Sequence, residues 1–225
     1  LGMGALAAHG HADALSFTLR AFGKDVLVDP GTYDYFSHPK WREYFRSTRS
    51  HNTIVVDGRD QSEMLGSFLW GRRAKAHCLN WETTDAGAKV VGEHDGYTHL
   101  KDPVTHRRTL ELDGLKRRVI VHDQIVAREK HWIELCFHFA EHCVVNPAGG
   151  NRYLVDVGHG TVTIELDPHL KVAESRGSED PICGWVSRGY HQKQASTTLV
   201  GRCDCEGDTS LVCRIDIGNT GRAST

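Results

Sequence analysis

After Asn52 the chain never settles into the apolar spacing of a helix. Short runs rich in β-branched and aromatic residues recur instead, at intervals of about ten residues, which is the signature of many short strands. Candidates lie at 74–81, 88–93, 107–112, 117–126, 132–139, 153–157, 161–166, 182–187, 197–203 and 210–217. Turn-forming residues punctuate them: Asp95-Gly96, Asp113-Gly114, Pro147-Ala148-Gly149-Gly150, Gly158-His159-Gly160 and Glu206-Gly207-Asp208. Strands this short, with connections this short, pair antiparallel and must bury one face against a second layer. The expected fold is all-β, an antiparallel β-sandwich of stacked sheets. No internal repeat or low-complexity linker divides it, so residues 1–225 read as one domain.

The first fifty residues differ in texture. Leu15 to Phe22 alternates apolar and polar, Gly23-Lys24-Asp25 supplies a turn, and Val26 to Asp29 returns. This predicts a hairpin that carries Asp29 back toward His11. The segment from Tyr33 to Arg49 is a loop dense in aromatic and arginine side chains, with Ser37 and Pro39 placed to start a short helix over 40–45. Asn52 to Gly58 is again strand and turn.

Composition removes several classes of function. Charged residues make up 25% of the chain but balance to a net −2, so no global field favours nucleic acid or an anionic membrane. No run approaches the ~18 apolar residues of a membrane span. The seven cysteines are odd in number and irregular in spacing, with no C-x-x-C pair. Cys203 and Cys205 sit too close for an ordinary disulfide between strand neighbours, so the cysteines read as reduced, partly buried small hydrophobes. The opening Leu1-Gly2-Met3-Gly4-Ala5-Leu6 carries no signal peptide and reads as the interior of a longer protein.

The chemistry concentrates between His9 and Asn52. His9-Gly10-His11 places two imidazoles two residues apart, on one face if the segment is extended, with a glycine that lets backbone approach a ligand. Imidazole nitrogens and a carboxylate from separate segments make a donor set suited to zinc, and Asp29 and His51 each stand at a strand end. Fifteen histidines also bring neighbours together by chance, and chance is the competing explanation. A cupin would also use His-x-His, but with a glutamate a few residues on. Here Ala12-Asp13-Ala14-Leu15 follows, and the first glutamate is Glu43.

Three linked stretches carry a resemblance. They are His9-Gly10-His11-Ala12-Asp13-Ala14-Leu15-Ser16-Phe17, Leu27-Val28-Asp29-Pro30-Gly31-Thr32-Tyr33, and Tyr44-Phe45-Arg46-Ser47-Thr48-Arg49-Ser50-His51-Asn52-Thr53. In this order they resemble the C-terminal domain of the heparinase II/III-like polysaccharide lyases, whose relatives include alginate and oligoalginate lyases. The resemblance is dense to about residue 61 and looser through His94-Asp95-Gly96-Tyr97, Asp102 to Arg108, His138-Phe139 and Gly184 to Ser187.

The resemblance implies an N-terminal α/α toroid joined to this β-sandwich, with an acidic polysaccharide or oligosaccharide cleaved between them by β-elimination. It implies a divalent metal, zinc or another cation in a structural role, on His11, Asp29 and His51, and His9 facing the substrate as a catalytic residue. Tyr33 and Tyr35, on the same loop, are further candidates for proton transfer or for stacking on sugar. Arg42, Arg46 and Arg49 could grip uronate or sulfate through the guanidinium fork, with internal salt bridges as the competing role. Asn52, beside His51, joins them as a substrate-binding candidate. His94, His106 and His138, like Trp185 and Tyr190, read as core or sheet-face residues. A periplasmic or secreted bacterial location is likewise what the resemblance implies. A metal-stabilised glycan-binding module without catalysis is the alternative.

Overall fold

The computed structural model describes residues 7–218. The opening Leu1 to Leu6 stretch lies outside the described residues. In chain order the strands begin with β1 (Leu19–Ala21), β2 (Lys24–Leu27), β3 (Ile54–Val56), β4 (Ala76–Thr84), β5 (Gly87–Tyr97) and β6 (Val104–Asp113). They continue with β7 (Arg118–Val126), β8 (Lys130–His138), β9 (Val144–Pro147), β10 (Arg152–Asp156), β11 (Thr161–Glu165) and β12 (Lys171–Arg176). The last six are β13 (Ser178–Glu179), β14 (Ile182–Cys183), β15 (Trp185–Gly189), β16 (Gln192–Ala195), β17 (Thr197–Glu206) and β18 (Thr209–Ile217). One helix, α1 (Pro39–Arg46), lies between β2 and β3, followed by a 3₁₀ turn over Thr48–Ser50.

Two open antiparallel sheets carry the fold. The larger has eight strands in the order β4-β5-β6-β7-β18-β11-β10-β9, and the smaller four in the order β12-β17-β8-β3. The expected all-β sandwich of stacked antiparallel sheets is what forms, and neither sheet closes into a barrel of the kind expected of a cupin. In β7, Val119, Val121, Asp123 and Ile125 face inward while the residues between them are more exposed. That alternation is the period-two pattern of a strand with one solvated face. β8 is different: from Ile133 onward every residue is buried. Its two faces are both covered because the segments before β3 pack over the end near His138. Each fully buried Ile, Leu or Phe of this core contributes about 1.5–3 kcal/mol.

Two sequence expectations change here. Asp95-Gly96 is not a turn between strands but a bulge inside β5, where the register to β6 shifts between His94 and Tyr97. A Cβ on Gly96 would come within 2.8 Å of the Gln61 carbonyl oxygen, so the glycine serves close backbone approach. The strand expected over 182–187 is two strands, β14 and β15, broken at Gly184. The predicted hairpin does form, pairing Leu19 with Leu27 and Ala21 with Lys24. All seven cysteines are free, and five of them are buried.

Candidate metal centre and proton-transfer site

α1 starts where Pro39 presets the backbone and ends at Ser47, whose φ of −69° and ψ of 155° are extended. The 3₁₀ turn then delivers His51 in an extended conformation at the mouth of β3. His51 is fully buried. Its Nδ1–H donates to the Ser47 carbonyl at 2.7 Å, which assigns the tautomer and leaves the Nε2 lone pair free.

That lone pair meets two others. His51 Nε2 lies 3.1 Å from His11 Nδ1 and 3.4 Å from Asp29 Oδ2. On the far side of its ring, His11 Nε2 is 3.4 Å from the Thr32 hydroxyl. Asp29 Oδ1 accepts the backbone N–H of Gly31 at 2.8 Å, which fixes the carboxylate. The donor atoms of His11, Asp29 and His51 all fall within 4.8 Å of one another. Three such donors converging on one point need a positive charge between them, either a proton on His51 or a bound cation. A divalent cation with nitrogen and oxygen ligands fits this set without moving its supports.

The electrostatics agree. Burial works against charge on His51, yet its bond to Asp29 outweighs this and raises its pKa. Burial and the neighbouring His51 push His11 down to about 3. Burial would raise the Asp29 carboxyl, but the hydrogen bonds from His51 and the Gly31 N–H bring it down to about 2. The trio therefore holds one shared positive charge and an ionised carboxylate.

His9 stands apart from the trio. It is exposed, and its ring lies 5.3 Å from that of Tyr35, edge to face. Both His9 and His11, with Asp13, Asp29, Gln61 and Arg108, line a cleft of about 620 Å³ against the β4–β6 end of the large sheet. Asp13, Gln61 and Arg108 were not singled out by sequence reasoning. Asp13 lay within the first motif and was readable, whereas Gln61 and Arg108 become neighbours only through the fold.

The two tyrosines separate. Tyr33 is half-buried at φ 65°, its ring packed among Trp41, Phe45, His38 and His191. Tyr35, not Tyr33, is the tyrosine beside His9. The Tyr33 ring is engaged in that aromatic cluster rather than against His9.

The arginines and the asparagine also need correction. Arg42 and Arg46 are each 1% exposed, too buried to meet a glycan. Arg42 Nε donates to the Ser67 carbonyl and its Nη2 to that of Ala8, while Arg46 Nη1 donates to the Gly66 carbonyl and its guanidinium covers the Trp70 ring. They clamp the 66–70 loop and the strand of chain leading to His9. Arg49 pairs with the buried Glu134 at 3.3 Å, the internal salt bridge weighed for it from sequence. Asn52 is fully buried: its amide donates to the Phe17 and Val28 carbonyls, and its Oδ1 accepts the His138 N–H at 2.7 Å. Every polar atom of that side chain is used in holding the hairpin, β3 and β8 together, so it has none left for substrate.

His94, His106 and His138 are core histidines. His138 is held neutral, with burial lowering it to about 3, between the Arg49 carbonyl and the Thr198 hydroxyl. His106 donates to Asp123, which also takes two bonds from Arg108. Arg108 in turn donates to the carbonyls of Leu15 and Asn52, tying the His11 and His51 segments to the large sheet. Tyr190, expected in the core or on a sheet face, is 55% exposed and stacks on His191.

The family described as heparinase II/III-like, C-terminal, matches residues 1–212. The chain belongs to that family. Solved structures sharing the fold include the heparan sulfate lyase HepC from Pedobacter heparinus, at a TM-score of 0.76 and 18% identity over 96% of this chain. A heparinase III structure aligns at a TM-score of 0.75 and 15% identity over 99% of the chain. This chain spans 32% of the length of either structure. A search of curated proteins finds no match. These structures show the shared sandwich fold, and among the described residues no helix is long and apolar enough to cross a membrane.

Proposed function

We propose that this chain is the β-sandwich part of a polysaccharide lyase that cleaves uronate-containing glycans by β-elimination. The observation that carries the reading is an exposed His9, its ring against that of Tyr35, lining the same cleft as His11 and Asp29, with His51 buried behind them. The reaction removes the C5 proton of the uronate, forms the C4–C5 double bond and breaks the C4–O bond, whose oxygen takes up a proton. We assign the accepting and donating of those protons to His9 and Tyr35, an imidazole and a phenol side by side.

His11, Asp29 and His51 would hold a divalent cation, with zinc favoured by the two imidazoles. A bound cation would supply charge that locks three distant segments together. The residues themselves do the rest: the trio fixes the backbone on either side of His9, and Arg42 and Arg46 brace the loop above it.

The C5 proton becomes acidic only when the neighbouring carboxylate is neutralised. Of the arginines nominated from sequence, Arg42 and Arg46 are buried and Arg49 is engaged with Glu134. We infer that the neutralising group comes from an N-terminal toroid domain, which closes the cleft, and that the enzyme acts outside the cytoplasm on an acidic polysaccharide or oligosaccharide. The test is direct. Full-length protein incubated with heparan-type, alginate and other uronate glycans should yield chain ends that absorb in the near ultraviolet. Tight glycan binding with no such product would favour the non-catalytic module instead.

A further inference from the structure

A second group of metal-binding side chains lies outside the site just described. Asp34, on the loop after β2, is fully buried. Its Oδ2 is 2.7 Å from His38 Nδ1, and its Oδ1 is 3.3 Å from His191 Nε2. The donor atoms of these three residues lie within 4.8 Å of one another. His38 precedes α1, while His191 sits at the tip of the β15–β16 hairpin, 157 residues from Asp34.

Hydrogen bonding alone accounts poorly for this arrangement. Asp34 Oδ1 already accepts three backbone N–H groups, from Tyr35, Phe36 and Ser37, at 2.6, 3.0 and 3.2 Å. A carboxylate oxygen has two lone pairs, so His191 is a fourth donor on a saturated atom. A lone pair on His191 Nε2 directed at a cation shared with Oδ2 removes that crowding. The same three N–H groups hold the carboxylate in one orientation, as supporting contacts do around metal ligands. Ring contacts also orient the imidazoles: Tyr190 stacks on His191 with centroids 4.1 Å apart, and the tilted Tyr33 ring lies 5.8 Å from His38 and 6.0 Å from His191. Each is close to half exposed, so a cation can enter and keep water as a further ligand. Among the described residues the ion-pair partners of Asp34 are these two imidazoles.

We propose that Asp34, His38 and His191 form a second divalent-metal site, open to solvent and of the zinc class because two of its three donors are imidazole nitrogens. It pins the β15–β16 hairpin to the loop that carries Tyr35. Two backbone bonds already join these parts, His191 N–H to the Tyr33 carbonyl and Ser187 N–H to the Pro30 carbonyl, both 2.7 Å. A Cβ at Gly31 would fall 2.1 Å from the Ser187 carbonyl oxygen, so nothing but glycine lets the hairpin come this close. The metal completes that junction, and the proposal does not depend on the lyase reading.

The experiment measures zinc in full-length protein that has been stripped with chelator, reloaded with excess zinc and dialysed. The double variant His38→Gln/His191→Asn should retain one equivalent fewer than wild type, and His51→Ala should lose a different one. Asn is chosen because His191 has a φ of 57°, which asparagine tolerates. His38→Gln alone, at an exposed position, gives the same reading if the double variant folds poorly. Zinc content unchanged in both variants overturns the proposal. An equivalent lost with His38 and His191 but kept in His51→Ala upholds this site and sinks the His11–Asp29–His51 reading instead.

Discussion

His11 Nδ1 and His51 Nε2 lie 3.1 Å apart although forty residues separate them. The Ser47 carbonyl takes the His51 Nδ1–H, so in the neutral ring His51 Nε2 presents a lone pair to His11. Such a contact needs either a shared proton or a cation between the rings, and the divalent cation proposed above is the second case. Substituting His51 or His11 by alanine should therefore release one equivalent of zinc and lower the melting temperature. At a hundredfold excess of metal over Kd the lost stabilisation is about 2.7 kcal/mol. Scanning calorimetry of wild type and variant, each with and without chelator, checks this. A variant whose transition still responds to chelator as wild type does would remove the pair from the metal site.

Asn52 offers a sharper test of stability. Its side chain satisfies the Phe17 and Val28 carbonyls and the His138 N–H inside the core. Asn52→Ala leaves these groups unpaired and should destabilise the fold by roughly 3 kcal/mol or more. Asn52→Asp should do no better, because it removes two donors and buries a charge. Denaturant midpoints measure both. A substrate-binding asparagine would instead raise KM and leave the midpoint unmoved.

Arg46→Met should lower kcat and the melting temperature together while changing KM little. The guanidinium holds the Gly66 carbonyl beneath the chain that leads to His9, and no sugar reaches it. A rise in KM at constant stability would return Arg46 to the substrate-binding set.

His131 makes stability depend on pH. Burial opposes its charge, but Asp57 at 2.7 Å and Asp102 at 3.2 Å raise its pKa above the ordinary 6.5. A raised folded value means the stabilisation is fully present below pH 6.5 and fades as pH rises through the folded pKa. His131→Gln should thus cost more stability at pH 6 than at pH 9 (round working values on either side of the histidine range). Equal losses at both pH values would show that the ring acts by packing alone.

The three motifs from His9 to Asn52 were legible because donor side chains at strand ends are local chemistry: a lone pair, a turn, a glycine. The fold class was legible for the same reason, in the period-two runs of β6 and β7. What escaped depends on distance along the chain. An arginine in an aromatic loop looks alike whether it meets a sugar or a buried carbonyl, and only the packing of 66–70 under α1 decides that Arg42 and Arg46 are clamps. Asn52 was misjudged because the two carbonyls and one N–H it satisfies come from three other segments. The strands β9 and β12 were missed because they lie at sheet edges, where solvent contact dilutes the apolar pattern. His191 gave no signal at all, since its partner Asp34 is 157 residues away.

The central claim is that His9 performs proton transfer while the trio beside it only holds the scaffold. It is met most directly by the initial rate of unsaturated-uronate formation in full-length His9→Ala, with zinc content measured on the same sample. The account predicts full metal occupancy, an unchanged melting temperature and a rate reduced by about 10²–10⁴-fold. Turnover at the wild-type rate in a metal-replete His9→Ala protein would contradict it.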